Sequence, residues 1–326
     1  MKAMRHLLAT LIGVLPLVTG VPAAAQGEFP NKPLRVIVPF PAGGVVDALA
    51  RVVGDKLSAR YGQPVIVESK AGAGGAIGTE FVAKAPADGY TLLMVSPSHA
   101  VAPAVQKGLN WDPVRDFRGI AGFGIIPNVI VVHPSVPAHS MVEFIELARK
   151  ARDPLTYATS GVGTSSHLAG ELLAQSANIK LTAVPYKGQP DAVSDLLSGR
   201  VNMMPMSVSL ALPHIKAGKL RALAVTTSER SSAMPEVPTV ADAAKLQGFG
   251  VGTWLALLAP AKVPDAVAAK LSVDVAAILA MPDVQSRIQT MGFDLHPQSG
   301  VQFDAFLKTE VTKWARVVKQ AGIQPN

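Results

Sequence analysis

The sequence predicts an α/β fold in two domains, with strands and helices alternating along the chain. Short apolar runs rich in Val and Ile alternate with helix-length segments from residue 34 to 225, the pattern of βαβ units. Glycine-rich turns join strand to helix at two distant places, around residues 43 and 161. At 326 residues, 49% hydrophobic and 16% charged, the chain can bury one large or two medium cores. Such alternation implies a mostly parallel sheet, right-handed crossovers and ligands at the carboxyl ends of the strands.

The first 25 residues stand apart. Lys2 and Arg5 precede an apolar run from Leu7 to Val18, and Ala23-Ala24-Ala25 offers a small-residue cleavage site. This is the pattern of a secretory signal peptide, its apolar run too short to span a bilayer. Leu34–Val38 reads as a strand because a β-branched apolar run is ended by Pro39. Val45–Arg60 reads as a helix with Ala, Leu and Val on one face, and Gln63–Glu68 as the next strand. The glycine-rich stretch from Lys70 to Gly78 opens a helix through Ala83, and Tyr90–Val95 is a third strand ending in Ser96-Pro97-Ser98-His99.

After a loop around Trp111-Asp112-Pro113, Val129–Val132 is a strand stopped by His133-Pro134. Ser140 and Glu143 make a capping box for a helix over Met141–Lys150. A second series follows: strand Leu155–Ala158, loop and helix Gly161–Ser176, strand Ala183–Val184, and helix Asp191–Leu197 with Gly199 past its end. Val201–Met204, Ala211–Ala217 and Leu220–Val225 continue it as strand, helix and strand. The domain boundaries fall near 127 and 226, giving one domain of 26–127 plus 226–326 and another of 128–225. In the last quarter Trp254–Leu258 is a strand, and Pro264–Ala280 and Pro282–Met291 are helices opened by proline. Phe303–Gly322 is a terminal helix whose Phe303, Phe306, Leu307, Val311, Trp314, Val317 and Val318 recur at core spacing.

Cysteine is absent, which excludes disulfides, thiolate metal sites and a cysteine nucleophile. The formal charge is +7, and removing Lys2 and Arg5 leaves +5. These basic residues are scattered and aromatics are 5%, which argues against nucleic-acid binding. A mild positive field favours anionic ligands, screened over about 8–10 Å.

Two stretches carry candidate chemistry. Phe40-Pro41-Ala42-Gly43-Gly44, with Asp47 in the helix that follows, allows a close backbone approach at a helix start. Such a turn is either an anion seat built from main chain or an ordinary βα turn. Asp47 is placed to cap backbone N–H groups rather than to act as a base. Ser160-Gly161-Val162-Gly163-Thr164-Ser165-Ser166-His167 repeats the logic and adds hydroxyl donors. Ser165 with His167 is also the raw material of a serine hydrolase, although side chains two apart at a helix start diverge and no G-x-S-x-G elbow is present. Gly72, Gly74, Gly75 and Gly78 do not have dinucleotide-binding spacing, since Ile77 stands where the third glycine belongs. Tyr186-Lys187-Gly188 places one cation after a strand. No His, Asp and Glu set has metal-ligand spacing, no cofactor is implied, and no carboxylate pair suggests acid–base catalysis.

Several runs carry a resemblance. They are Pro39–Gly44 with Asp47, Ala71–Gly75, Ala87-Asp88-Gly89-Tyr90-Thr91-Leu92, Trp111-Asp112-Pro113 with Asp116-Phe117, Val184–Gly188, Leu212–Val225, Glu236-Val237-Pro238-Thr239 and Lys313-Trp314. In order and over the whole mature chain, the sequence resembles the Bug or TctC-type family, the extracytoplasmic solute receptors of tripartite tricarboxylate transporters. The resemblance implies a periplasmic, type II binding-protein fold: two α/β domains joined by crossing strands, with a ligand cleft between them. It implies a small organic carboxylate, di- or tricarboxylate or aromatic, held by two strand-to-helix loops. The carried-over ligand contacts are Phe40, Ala42, Gly43, Gly44 and Asp47 in one loop and Ser160, Gly161, Gly163, Thr164, Ser165 and His167 in the other. Ser96, Ser98, Lys187 and Gly188 join them along the cleft. The implied partners are the small organic anion, the membrane components of the transporter, or a sensor protein, with the receptor a monomer. Two departures from the family pattern stand out. Val45-Val46 replaces a Pro-Thr pair, and Pro205-Met206 stands where many members have an acid. The second argues against a ligand carrying an ammonium group.

Overall fold

The computed structural model describes residues 29–186 and 188–325. The proposed signal peptide and Lys187 lie outside the described residues. β1 (Leu34–Val38) is nearly all buried. After the first glycine turn, α1 (Val45–Tyr61) buries Leu49, Val52, Val53 and Leu57 and stops at Gly62, with a φ of 62°. β2 (Val65–Ser69) pairs parallel with β1, whose other side takes the parallel β3 (Thr91–Val95). Between them, a 3₁₀ turn at Ala73–Gly75 leads into α2 (Ala76–Ala83). Directly after β3 comes α3 (Pro97–Val105), with proline in its first turn. The expectation of a strand end at 96–99 stops short of this helix.

β4 (Phe117–Val132) follows. The expected strand Val129–Val132 is only its last part. In α4 (Met141–Lys150) the Glu143 N–H donates to Ser140 Oγ at 3.2 Å. The Glu143 carboxylate accepts from the His139 N–H at 2.6 Å rather than from Ser140, so half of the capping box forms. The second series is β5 (Leu155–Thr159), α5 (Ser165–Ala177), β6 (Leu181–Pro185), α6 (Gln189–Leu197), β7 (Met203–Ser207), α7 (Val208–Lys216) and β8 (Arg221–Val225). The chain closes with α8 (Val240–Ala244), β9 (Gly252–Pro260), α9 (Asp265–Leu279), α10 (Pro282–Thr290), β10 (Asp294–Ser299) and α11 (Gly300–Gln320).

The strand order is β2-β1-β3-β9-β4-β7-β5-β6, with β8 and β10 also on β4. β1 with β2 and β3, and β5 with β6 and β7, are parallel. Every partner of β4, and β3 with β9, is antiparallel. The mostly parallel sheet expected from the sequence is therefore mixed. The reason is β4 and β9, which run back through the middle of the sheet. β4 pairs with β9 from Phe117 to Pro127 and with β7 from Asn128 to Val132. It changes partner just past Pro127, which brings no N–H to the ladder.

Glycines in β4 admit the elements laid across it. A Cβ on Gly119 would sit 2.5 Å from the Gly300 carbonyl, and one on Gly124 2.3 Å from that of Asp294. One apolar cluster, with Leu49, Phe123, Leu271 and Ile288, covers a face of the β1 half. Another, with Val129, Leu196, Met204 and Met206, covers a face of the β5 half. A third runs across both halves and takes in Ile37, Phe144, Tyr157, Trp254 and Trp314. The α11 stripe joins it, with Phe303, Leu307, Trp314, Val317 and Val318 buried and Phe306 and Val311 packed alongside. Trp254 and Trp314 both donate through Nε1 to Glu310 Oε2, at 3.0 and 2.9 Å. Both indole donors are thus satisfied where the aromatic rings are buried.

Candidate functional site

The two glycine turns are built alike. In the first, Gly43 has a φ of 84°, a conformation that favours glycine. Its N–H donates to Asp47 Oδ2 at 3.0 Å, four residues on. Arg51 clamps both oxygens of that carboxylate at 3.0 Å and holds its pKa below the usual range. In the second, Gly161 and Gly163 have φ of 121° and 78°. The Gly163 N–H donates to His167 Nδ1 at 3.2 Å, again four residues on. That bond requires an unprotonated Nδ1, and burial lowers the His167 pKa accordingly. The glycine N–H groups nearest each bend are thus held by the helix that follows.

What remains open is the helix starts themselves. α1 begins after Gly44 and α5 after Thr164, and neither N-cap side chain bonds the first turn. Their first-turn N–H groups, at the positive end of each dipole, are left to an outside acceptor. The second turn is rigid: Thr164 Oγ1 donates to the Gly161 carbonyl at 2.7 Å, and the Ser160 N–H to Ser166 Oγ at 2.9 Å.

A cavity of about 280 Å³ lies beside the second of these helix starts, while of the first turn only Phe40 reaches it and α1 is not in its wall. Phe40, Ser96 and Ser98 line it from the β1 half, and Ser160, Gly163, Thr164 and Ser165 from the β5 half. The structure therefore brings seven of the residues proposed from sequence into one cavity wall. Ala42, Gly43, Gly44, Asp47, Gly161, His167 and Gly188 are not in that wall. Ala42, Gly43 and Gly44 are exposed at the first turn, while Asp47 and His167 are buried behind their turns. Gly161 is half-buried in the second turn, and Gly188 is the N-cap of α6. Sequence reasoning missed the wall formed by α3, where Pro97, Val101, Ala102, Val105 and Gln106 face the cavity. It also missed Val162, Gln189 and Thr253. Proline after Ser96 and the alanine-rich run behind it were the available signal for this helix.

Ser165 Oγ lies 2.8 Å from Thr253 Oγ1 and accepts from Asn128 Nδ2 at 3.1 Å. Ser165 thus pins the start of α5 to β9 and β4. His167 instead serves Gly163, and its Nε2 lies 3.8 Å from Glu171 Oε1, which accepts from the Tyr157 hydroxyl at 2.6 Å. Behind Ser96 and Ser98, His99 is buried against Trp111 with ring centroids 5.2 Å apart. His99 Nε2 is 3.0 Å from the Pro113 carbonyl, and burial pushes its pKa down to about 4, so the ring is a neutral Nε2–H donor.

Both sequence departures point into cores rather than into the cleft. Val46 is buried and Val45 packs against the same cluster, while Pro205 and Met206 are buried in β7 and line no part of the cavity. Pro205 and Met206 therefore do not bear on whether the ligand carries an ammonium group. A second cavity of about 260 Å³ lies between β4, β10 and α11, lined by Trp254, Asp294 and Phe303 among others. It includes no residue of either glycine turn. Among the described residues no cluster of His, Asp and Glu is placed to hold a metal ion, and no helix is long and apolar enough to cross a membrane.

A family model described as the tripartite tricarboxylate transporter family receptor, TctC, matches residues 49–323. The chain belongs to the TctC family. Among TctC relatives, it is 37% identical to a UPF0065 protein of Pseudomonas sp. strain P51, covering 97% of this chain and 95% of that one. It is 33% identical to protein BugT of Bordetella pertussis, covering 98% of both chains. A solved R. palustris protein with adipate superposes with a TM-score of 0.77 at 32% identity, covering 92% of this chain and all of that one. The TctC fold, a periplasmic-binding-protein architecture of mixed α/β type, is the one described above.

Proposed function

We propose that this chain is a periplasmic receptor that captures a small organic carboxylate and presents it to the membrane components of a tripartite tricarboxylate transporter. It binds and does not transform its ligand. Residues 1–25 act as the export signal. One lobe comprises 26–127 and 226–326, the other 128–225, and β4 and β9 are the crossing strands between them.

The observation that carries this reading is a single cavity walled by hydroxyls and helix starts from both halves, with no charged side chain among the described lining residues. Such a wall donates hydrogen bonds to an anion without a cationic clamp. Charge-assisted hydrogen bonds contribute about 1.5–3 kcal/mol each. Four of them reach the ~8 kcal/mol of a micromolar complex before the costs of closure and ordering are subtracted. Because the donors are divided between the two halves, closure about the crossing strands is what assembles them. The carboxylate seen with the R. palustris relative supports the ligand class. The partners of Ser165 and His167 support binding over hydrolysis, since each is committed to a structural bond.

The test is a thermal-shift screen of the purified protein against mono-, di- and tricarboxylates. Binding to the native state raises the melting temperature with ligand concentration. No shift with any carboxylate would sink the proposal.

A further inference from the structure

Resting on the carboxylate-receptor reading, we infer that the cleft selects a monocarboxylate with an apolar body over a diacid of the same length. The selecting wall is α3. This helix presents one face to the cavity along its whole length: Pro97, Ser98, Val101, Ala102, Val105 and, just beyond it, Gln106. The wall is graded along that face. At the N-terminal end of α3 stand Ser96 and Ser98, and the facing half contributes Ser160, Thr164 and the buried Ser165 to the same cavity. This is the end where hydroxyls and helix-start N–H groups converge, so the carboxylate sits here.

Further along, the helix offers Val101, Ala102 and Val105, and the second turn offers Val162 opposite them. From Pro97 to Val105 the helix rises about 12 Å. A six-carbon ligand anchored at the hydroxyl end spans only part of that length, and its far end stops against valine and alanine. A second carboxylate there would lie against Val101 and Ala102, both buried, with no charged partner among the described lining residues, which is unfavourable. Among the described residues, Lys107 is not part of this wall. It lines an outer cavity of about 470 Å³ that also holds Val105, Gln106, Val162 and Ile323, and it is exposed. A methyl end, by contrast, gains apolar burial along the same wall.

The test compares hexanoate with adipate by calorimetric titration of the purified protein, with Val162→Arg as the variant. Val162 is 65% exposed, so arginine there is tolerated by the fold and brings a cation to the apolar end. Hexanoate is expected to bind at least tenfold tighter than adipate, and Val162→Arg to narrow or invert that ratio. Adipate binding as tightly as hexanoate, or a ratio untouched by Val162→Arg, would overturn the inference while leaving the receptor reading in place. Failure of every mono-, di- and tricarboxylate to bind would overturn the receptor reading itself, and the inference with it.

Discussion

Replacing Ser165 by alanine separates the receptor account from its enzymatic alternative. The Ser165 hydroxyl lies between Asn128 Nδ2 at 3.1 Å and Thr253 Oγ1 at 2.8 Å, and Asn128 is only 1% exposed. Alanine keeps the helix start but leaves a buried amide donor without that acceptor. An unsatisfied buried donor costs about 1–3 kcal/mol. For about 300 folded residues each kcal/mol lowers the melting temperature by roughly 1.5–2 °C. Ser165→Ala should therefore melt several degrees below the parent and lose the same free energy in urea. Thr253→Val should act in the same direction, and the double variant should lose less than the sum, because both residues serve one network. An unchanged melting temperature would refute the bonding assigned to Ser165. Steady ester turnover by the parent that Ser165→Ala abolishes would refute the non-enzymatic reading, whatever the stability change.

Other outcomes follow from the same packing. His99 is kept neutral, its pKa pushed down to about 4 from an ordinary 6.5. As pH falls from 6.5 to 4 the unfolded chain therefore binds a proton that the folded chain refuses. Stability drops over that window, by about 3 kcal/mol in all. Urea titrations at pH 7 and pH 4.5 should show the slope, and His99→Gln should flatten it; equal slopes would contradict the buried neutral ring. Gly170→Ala places a Cβ 2.1 Å from the ring of Tyr157, which is fully buried. Overpacking at about 1–3 kcal/mol should outweigh the ~1 kcal/mol gained in helix propensity. A more stable Gly170→Ala protein would show that α5 and β5 are not packed this tightly.

Much of the fold was legible because local signals agreed with the global arrangement. The run Leu34–Val38 is β-branched and ends in proline, and it forms a strand with those bounds. Gly62 and Gly199 end helices where the chain needs positive φ. The first twelve residues of β4 were not legible, since Gly119, Gly122, Gly124 and Pro127 erase a strand signal. They are glycines because α11 and β10 lie against the backbone there, a long-range contact that no local window contains. α3 was missed because Pro103 inside it interrupts the helical pattern that its alanines offer. With it went Val101 and Val105, the apolar wall of the cleft. The glycine turns were found, but not that Asp47 and His167 occupy the glycine N–H groups. Which partner an N–H chooses depends on rotamers that sequence spacing does not fix.

The most direct measurement is a crystal structure of the protein with a carboxylate identified by the thermal-shift screen. The account predicts the carboxylate between the two halves, within hydrogen-bonding distance of Ser160 or Thr164 on one side and Ser96 or Ser98 on the other. A ligand seated instead in the cavity beside Trp254, Asp294 and Phe303, or touching only one half, would contradict it.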